Sequence, residues 1–205
     1  MSPARYGGET IAAGHAAFRD LIEDDLEAVV RYWHDSGDDY LAFLGIDRAR
    51  LGTEDDTSAR FRRALRSGDP DQRSMAFAIT LDETFVGYTL LNRYGADSNF
   101  SHWHLTNPLA RKTGISTALY PHRIAMYCAV CDMNRLTHLT RPRNIGVNKM
   151  LDKFVPIAET VWVENPDGFA GPGEFNHRHV TRADVPRLFE KLENLRTHCG
   201  VDDGN

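Results

Sequence analysis

The chain has 205 residues, 41% hydrophobic and 26% charged, with a formal net charge of −5. That length fits one domain, the composition excludes wholesale disorder, and the acidic balance excludes a general nucleic-acid binder, which needs a basic surface. No apolar run approaches the ~18–20 residues of a membrane span, and the opening residues do not read as a secretory signal.

Residues 1–17 are rich in glycine and alanine and predict a flexible arm; 18–199 predict one domain, and 200–205 a frayed tail. Phe18 to Leu21 reads as a short strand. Acidic Glu23, Asp24 and Asp25 precede Leu26, Val29, Val30 and Trp33, the apolar face of a helix with acids at its positive end. A second apolar cluster, Tyr40, Leu41, Phe43 and Leu44, closes at Gly45, and Thr53 opens a third helix that places Phe61 and Leu65 on one face. From Met75 the period changes. Residues 75–81, 85–94 and 100–106 alternate at hairpin spacing and predict an antiparallel meander. There follow a helix near 115–131, a strand at 135–141, a helix near 144–154, a strand at 158–163, a Gly/Pro-rich loop, a strand at 174–180 and a last helix from Asp184. A mixed α/β sheet flanked by helices accommodates that order.

The segment Pro108–Leu119 joins a strand to a helix. It lacks the Walker spacing and the three glycines of a dinucleotide fingerprint. It does offer Lys112, Thr113, Gly114, Ile115 and Ser116 at a helix start, beside the cation Arg111. Unpaired amides and the helix dipole there suit a pyrophosphate, and a glycine lets phosphate approach the backbone.

Arg111-Lys-Thr-Gly114-Ile-Ser116, with Pro108 three residues before the Arg and Leu119 in the following helix, resembles the phosphate loop of the GNAT superfamily of acyl-CoA N-acyltransferases. The downstream strand followed by Asn144, Val147 and Leu151 resembles that family's second motif. The resemblance spans roughly 18–181. It implies a central, mixed, mostly antiparallel sheet, splayed between two strands around the acyl-donor site. It also implies an enzyme that passes an acyl group, acetyl by default, from a CoA-type thioester to a small-molecule amine. Leu105 and Thr106 would contribute the backbone N–H that polarises the carbonyl, and Arg111–Ser116 with Asn144 would hold the donor. Ser116 stands where the family has Gly or Ala. Pro121 lies inside the helix and should kink or loosen it. Leu151 stands where many members carry a proton-donating Tyr.

His102 and His104 alternate on the strand before the loop and share a face opposite Trp103 and Leu105. Imidazole titrates near pH 6.5, so either is a candidate general base; by its spacing to Arg111, His102 matches the second histidine of a His-x-His found in some arylalkylamine N-acetyltransferases. Arg141 and Arg143 precede Asn144 and suit an acidic group on the acceptor or acyl chain. His177 and His179 alternate on the last strand and line the cleft or face solvent. The run Arg60, Arg62, Arg63, Arg66 reads as a solvated helix face, or as a surface for an acidic carrier protein or a CoA phosphate. The loop 165–175 is longer than a hairpin needs and borders the acceptor site or a subunit contact. Cys128 and Cys131 read as core thiols, with no metal expected. With Cys199 they make three cysteines, which fits a reducing cytoplasm and no disulfide framework. Two rivals stay open beside the CoA-dependent enzyme: an acyl-pantetheine donor carried on an acyl carrier protein, and a non-catalytic module of the same fold. A monomer or a homodimer is expected, without nucleic acid or membrane.

Overall fold

The computed structural model describes residues 3–67, 69, 71–94, 98–166 and 168–199; the tail 200–205 lies outside the described residues. Its strands are β1 (Arg5–Ile11), β2 (Gly14–Asp20), β3 (Ser74–Leu81), β4 (Thr84–Tyr94), β5 (Ser98–Leu105), β6 (Arg135–Thr140), β7 (Glu159–Val163) and β8 (Gly173–Thr181). Its helices are α1 (Leu26–His34), α2 (Asp38–Leu44), α3 (Glu54–Arg62), α4 (Ile115–Val130), α5 (Ile145–Asp152) and α6 (Val185–Cys199). The strands make one sheet in the order β1-β2-β3-β4-β5-β6-β8-β7. Neighbours are antiparallel except β5 and β6, whose parallel pairing needs a crossover that α4 supplies.

The predicted meander is present, but it begins earlier. Residues 5–17, read as part of a flexible arm, form β1 and the start of β2, and the chain from Ala16 onward is core: Ala16 and Phe18 are fully buried. The small residues that imitate a loose segment serve close packing. A Cβ at Gly8 would lie 2.7 Å from the Ala16 carbonyl oxygen, and one at Gly7 would lie 2.9 Å from His122 Nδ1.

Helices cover both faces. On one, α4, α5 and α6 bury Leu119, Ile124, Leu151 and Leu188 against Phe18, Phe77 and Leu136. On the other, α1, α2 and α3 bury Val29, Trp33, Leu41 and Phe61 against Ala76, Ala78 and Tyr88. Local signals set these helices: Thr53 and Asp56 form a reciprocal cap on α3, and Gly45 ends α2 in the left-handed region. Helix α4 runs unbroken through Pro121. The missing N–H leaves the Thr117 carbonyl without its helical donor. Cys131 is buried beside Met75 and Cys128 is half-buried, as core thiols.

The site is set by the meeting of β5 and β6. They are in register at Asn99–Leu136 and Phe100–Thr137. Beyond those pairs β5 runs on to Leu105 and β6 to Thr140, and the two diverge.

Candidate active site

A cavity of about 660 Å³ lies at this gap, lined by residues from both faces of the sheet. On the α4 side it meets Ile115, Ser116, Trp103, Arg123 and Leu151; on the other side it meets Tyr32, Tyr40, Tyr88, His102, His104 and Phe169. Arg60, Arg111, Lys112, Arg123 and Arg141 line it, and no Asp or Glu does among the described residues.

At its α4 end the chain turns sharply into the helix. Lys112 has φ 66° and Gly114 φ 85°, both left-handed. Space beside Gly114 is open, since a Cβ there would meet nothing within 4 Å. Glycine is therefore needed for backbone conformation, and the phosphate-approach argument is secondary. The Gly114 carbonyl accepts from the Thr117 and Ala118 amides at 3.0 Å. The amides of Gly114, Ile115 and Ser116 have no acceptor among the described residues. Three unpaired N–H groups at the positive end of a 16-residue helix make an anion site. Arg111 stands beside it, donating to the Leu105 carbonyl at 3.2 Å and lying over the Tyr40 ring at 5.0 Å.

The Thr106 amide donates to the Val86 carbonyl at 3.0 Å. Alternation along an antiparallel ladder then aims the amides of Ser101, Trp103 and Leu105 away from β4 and into the gap.

His102 and His104 share the face predicted for them, with rings stacked 6.1 Å apart. The protonation expected of them is corrected. Burial first, then the Arg60 charge, pushes His102 down to about 4; burial, then His102 and Arg111, push His104 down to about 3. Both are neutral imidazoles across the physiological range. His104 lies between Tyr88, 5.2 Å away, and Trp33, 4.7 Å away, and its Nδ1 pairs with the Tyr32 hydroxyl at 3.2 Å. That hydroxyl in turn meets the Tyr40 hydroxyl at 3.2 Å. Burial holds the Tyr32 phenol well above its usual range, so it stays protonated.

No protein-family model and no curated protein matches the chain. Solved structures do. RimJ of Mycobacterium smegmatis, in complex with CoA-disulfide, superposes with a TM-score of 0.73 over 95% of this chain and 97% of that one, at 16% identity. The aminoglycoside acetyltransferase AAC(6')-Ib in complex with coenzyme A gives 0.64 over 84% and 98%, at 16% identity. Spermidine N-acetyltransferase of Vibrio cholerae, with CoA and spermine, gives 0.65 over 83% and 98%, at 9% identity. The fold is that of the GNAT acetyltransferases.

Within this GNAT fold the predicted residues separate. Leu105, Arg111, Lys112, Gly114, Ile115, Ser116 and Asn144 line the cavity with both histidines. Thr106 and Thr113 do not: the Thr106 amide is used by Val86, and the Thr113 hydroxyl donates to the Ala110 carbonyl at 2.8 Å. Arg141 reaches the cavity, but its guanidinium donates to the Gly171 and Pro172 carbonyls and lies 4.1 Å over Phe175. It clamps the chain at Gly171–Phe175. Arg143 donates to the Ala42 carbonyl and lies outside the cavity. His177 is also outside, its Nδ1 3.5 Å from Glu159 on the neighbouring strand. The arginine run divides: Arg62 pairs with Glu23, Arg66 donates to the Tyr6 hydroxyl, and Arg60 covers the Phe169 ring at 4.6 Å at the cavity mouth. Sequence reasoning missed Tyr32, Tyr40 and Arg123. Their spacings mark helix faces only; the partner strand is a matter of tertiary packing.

Proposed function

We propose that the chain is an N-acyltransferase that passes an acyl group directly from a coenzyme A thioester to an amine. The observation that carries this is the set of three unpaired amides at the start of α4, flanked by Arg111 and Lys112 and continuous with a gap between diverging strands. Amides and cations there suit the pyrophosphate of CoA, and the unpaired edge of β5 suits the amide groups of a pantetheine arm. The CoA-bearing neighbours support the same reading.

The amine nitrogen bonds to the thioester carbonyl carbon, the C–S bond breaks, and the nitrogen's proton passes through the protein to the departing thiolate. The Trp103 amide is placed to donate to the carbonyl oxygen as it gains charge. An imidazole near pKa 4 cannot deprotonate an alkylammonium. It takes the proton after the nitrogen has bonded to carbon and become acidic. The acceptor therefore enters as free amine. A cavity lined by cations, with no carboxylate among the described residues, disfavours polycationic acceptors such as spermine. Leu151 is fully buried and carries no proton, so the thiolate draws its proton from the Tyr32–His104 side. Cys128 and Cys131 are free thiols, which fits a cytoplasmic enzyme.

Thiol release from acetyl-CoA, measured with a panel of primary amines and amine-free controls, tests this. Amine-dependent release supports the reading. Release only from a carrier-protein thioester supports the carrier-dependent rival, and binding without release with any amine supports the non-catalytic module.

A further inference from the structure

Arg123 sits in the third turn of α4 and is 3% exposed. Its guanidinium lies 5.0 Å from the Trp103 ring and 5.2 Å from the Tyr120 ring. It has no hydrogen-bond acceptor and no ion-pair partner among the described residues, and its Nε is fully enclosed. The Trp103 indole Nε1 beside it is also buried without a partner. Both residues line the cavity on its α4 side.

No carboxylate pairs with either of them, and among the described residues the cavity walls hold none. Tyr127 is pushed up to about 12 by burial and stays protonated. His138, whose Nε2 meets the Tyr120 hydroxyl at 2.9 Å, is kept neutral by burial and by the Arg123 and Arg178 charges. A guanidinium has five donors and does not deprotonate in proteins. Two aromatic faces attract the charge but accept no in-plane hydrogen bond. A buried cation with unpaired donors, open to a ligand cavity, calls for an anion brought by the ligand.

The position says which ligand. Arg123 is nine residues beyond the Gly114 turn, about 13 Å along the helix, and so lies away from the phosphate end. It packs on Trp103, whose backbone amide faces the gap where the reacting carbonyl would sit. On the acyltransferase reading, on which this inference rests, the group that reaches Arg123 is the far end of the acyl chain. We propose that the donor is the coenzyme A thioester of a dicarboxylic acid, with its free carboxylate held by Arg123 and the Trp103 indole. Transfer then forms an amide, releases CoA thiol, and leaves the carboxylate on the product, replacing a basic group with an acidic one.

The test is calorimetric binding of free CoA, acetyl-CoA and succinyl-CoA to the full chain, repeated with Arg123→Met. Succinyl-CoA is expected to bind at least 10-fold more tightly than acetyl-CoA, and Arg123→Met to bring that ratio to about one. The wild-type ratio decides even if the variant does not fold. CoA and acetyl-CoA bound, with succinyl-CoA no tighter, overturns this inference and leaves the acyltransferase reading in place. A wild-type preference that survives Arg123→Met in a folded protein overturns the role of Arg123. A protein that binds none of the three overturns both readings.

Discussion

His102 and His104 show how far a residue's chemistry depends on what covers it. Free imidazole titrates near 6.5, whereas these two sit at about 4 and about 3 because α1, β4 and Gly168 close over them. Between pH 6.5 and those values the unfolded chain takes up protons that the folded chain refuses. Stability is therefore full above about 6.5 and falls as the pH drops toward 4 and 3. Thermal melts from pH 8 to 4 should show this fall, and His102→Asn should make it shallower; equal slopes would contradict the burial. In turnover, kcat should show no inflection between pH 6 and 7. His102→Ala should lower it by ~10²-fold, and a wild-type inflection near 6.5 that vanishes in His102→Ala would mean a solvated imidazole instead. The shared face of the pair was legible from strand alternation. The depressed basicity was not, because the covering groups from α1 and from Gly168 come from residues about 70 positions away in either direction.

At the scale of elements, glycine and alanine near the N-terminus read as looseness because composition cannot distinguish a free arm from a strand pressed against a neighbour. Gly8→Val would drive a side chain into Ala16 and Ala17. We expect a loss of about 1–3 kcal/mol, measured by chemical denaturation; an unchanged midpoint would mean that β1 does not hold to the sheet. The turn from β6 into α5 is held by Asn148 as well as by Asn144, whose Oδ1 accepts from the Val147 amide at 3.4 Å as the cap of the helix. Asn148 Oδ1 accepts from Thr140 at 2.7 Å, Arg178 at 2.9 Å and Asn176 at 3.2 Å, and its Nδ2 donates to the Arg141 and Asn144 carbonyls at 2.8 and 3.0 Å. Arg178 is fully buried and also pairs with Asp152. Asn148→Ala leaves several of these groups unpaired and should cost about 2 kcal/mol or more. Leu151→Ala, which empties a core site beneath the cavity, should cost ~2–5 kcal/mol, with turnover affected through packing alone. Most strands and helices were legible to within one or two residues, since each carries its own period and caps. Arg143 and His177 lie off the cavity; sequence places a residue on an element but not on the wall of a cavity.

At the scale of the whole molecule, two layers of helices bury both faces of one sheet, and the sheet opens where the parallel β5–β6 pairing ends. That opening joins the unpaired amides of α4 on one side to the neutral, aromatic-walled histidines on the other. On the proposed reading it brings donor and acceptor together across the sheet. The motif Arg111–Ser116 made the donor end readable; the acceptor end depends on α1, α2 and a loop that no spacing connects to β5. The most direct test of this arrangement is calorimetric titration of free coenzyme A into the wild-type chain and into Gly114→Val, with folding of both checked by thermal melting. Valine cannot adopt the φ of 85° found at this position without strain, so the variant should distort the three-amide site. We expect one CoA per wild-type chain at micromolar affinity and at least a tenfold loss in Gly114→Val. A folded wild-type chain that binds no CoA, or a folded Gly114→Val that binds it within twofold of wild type, would contradict the donor site.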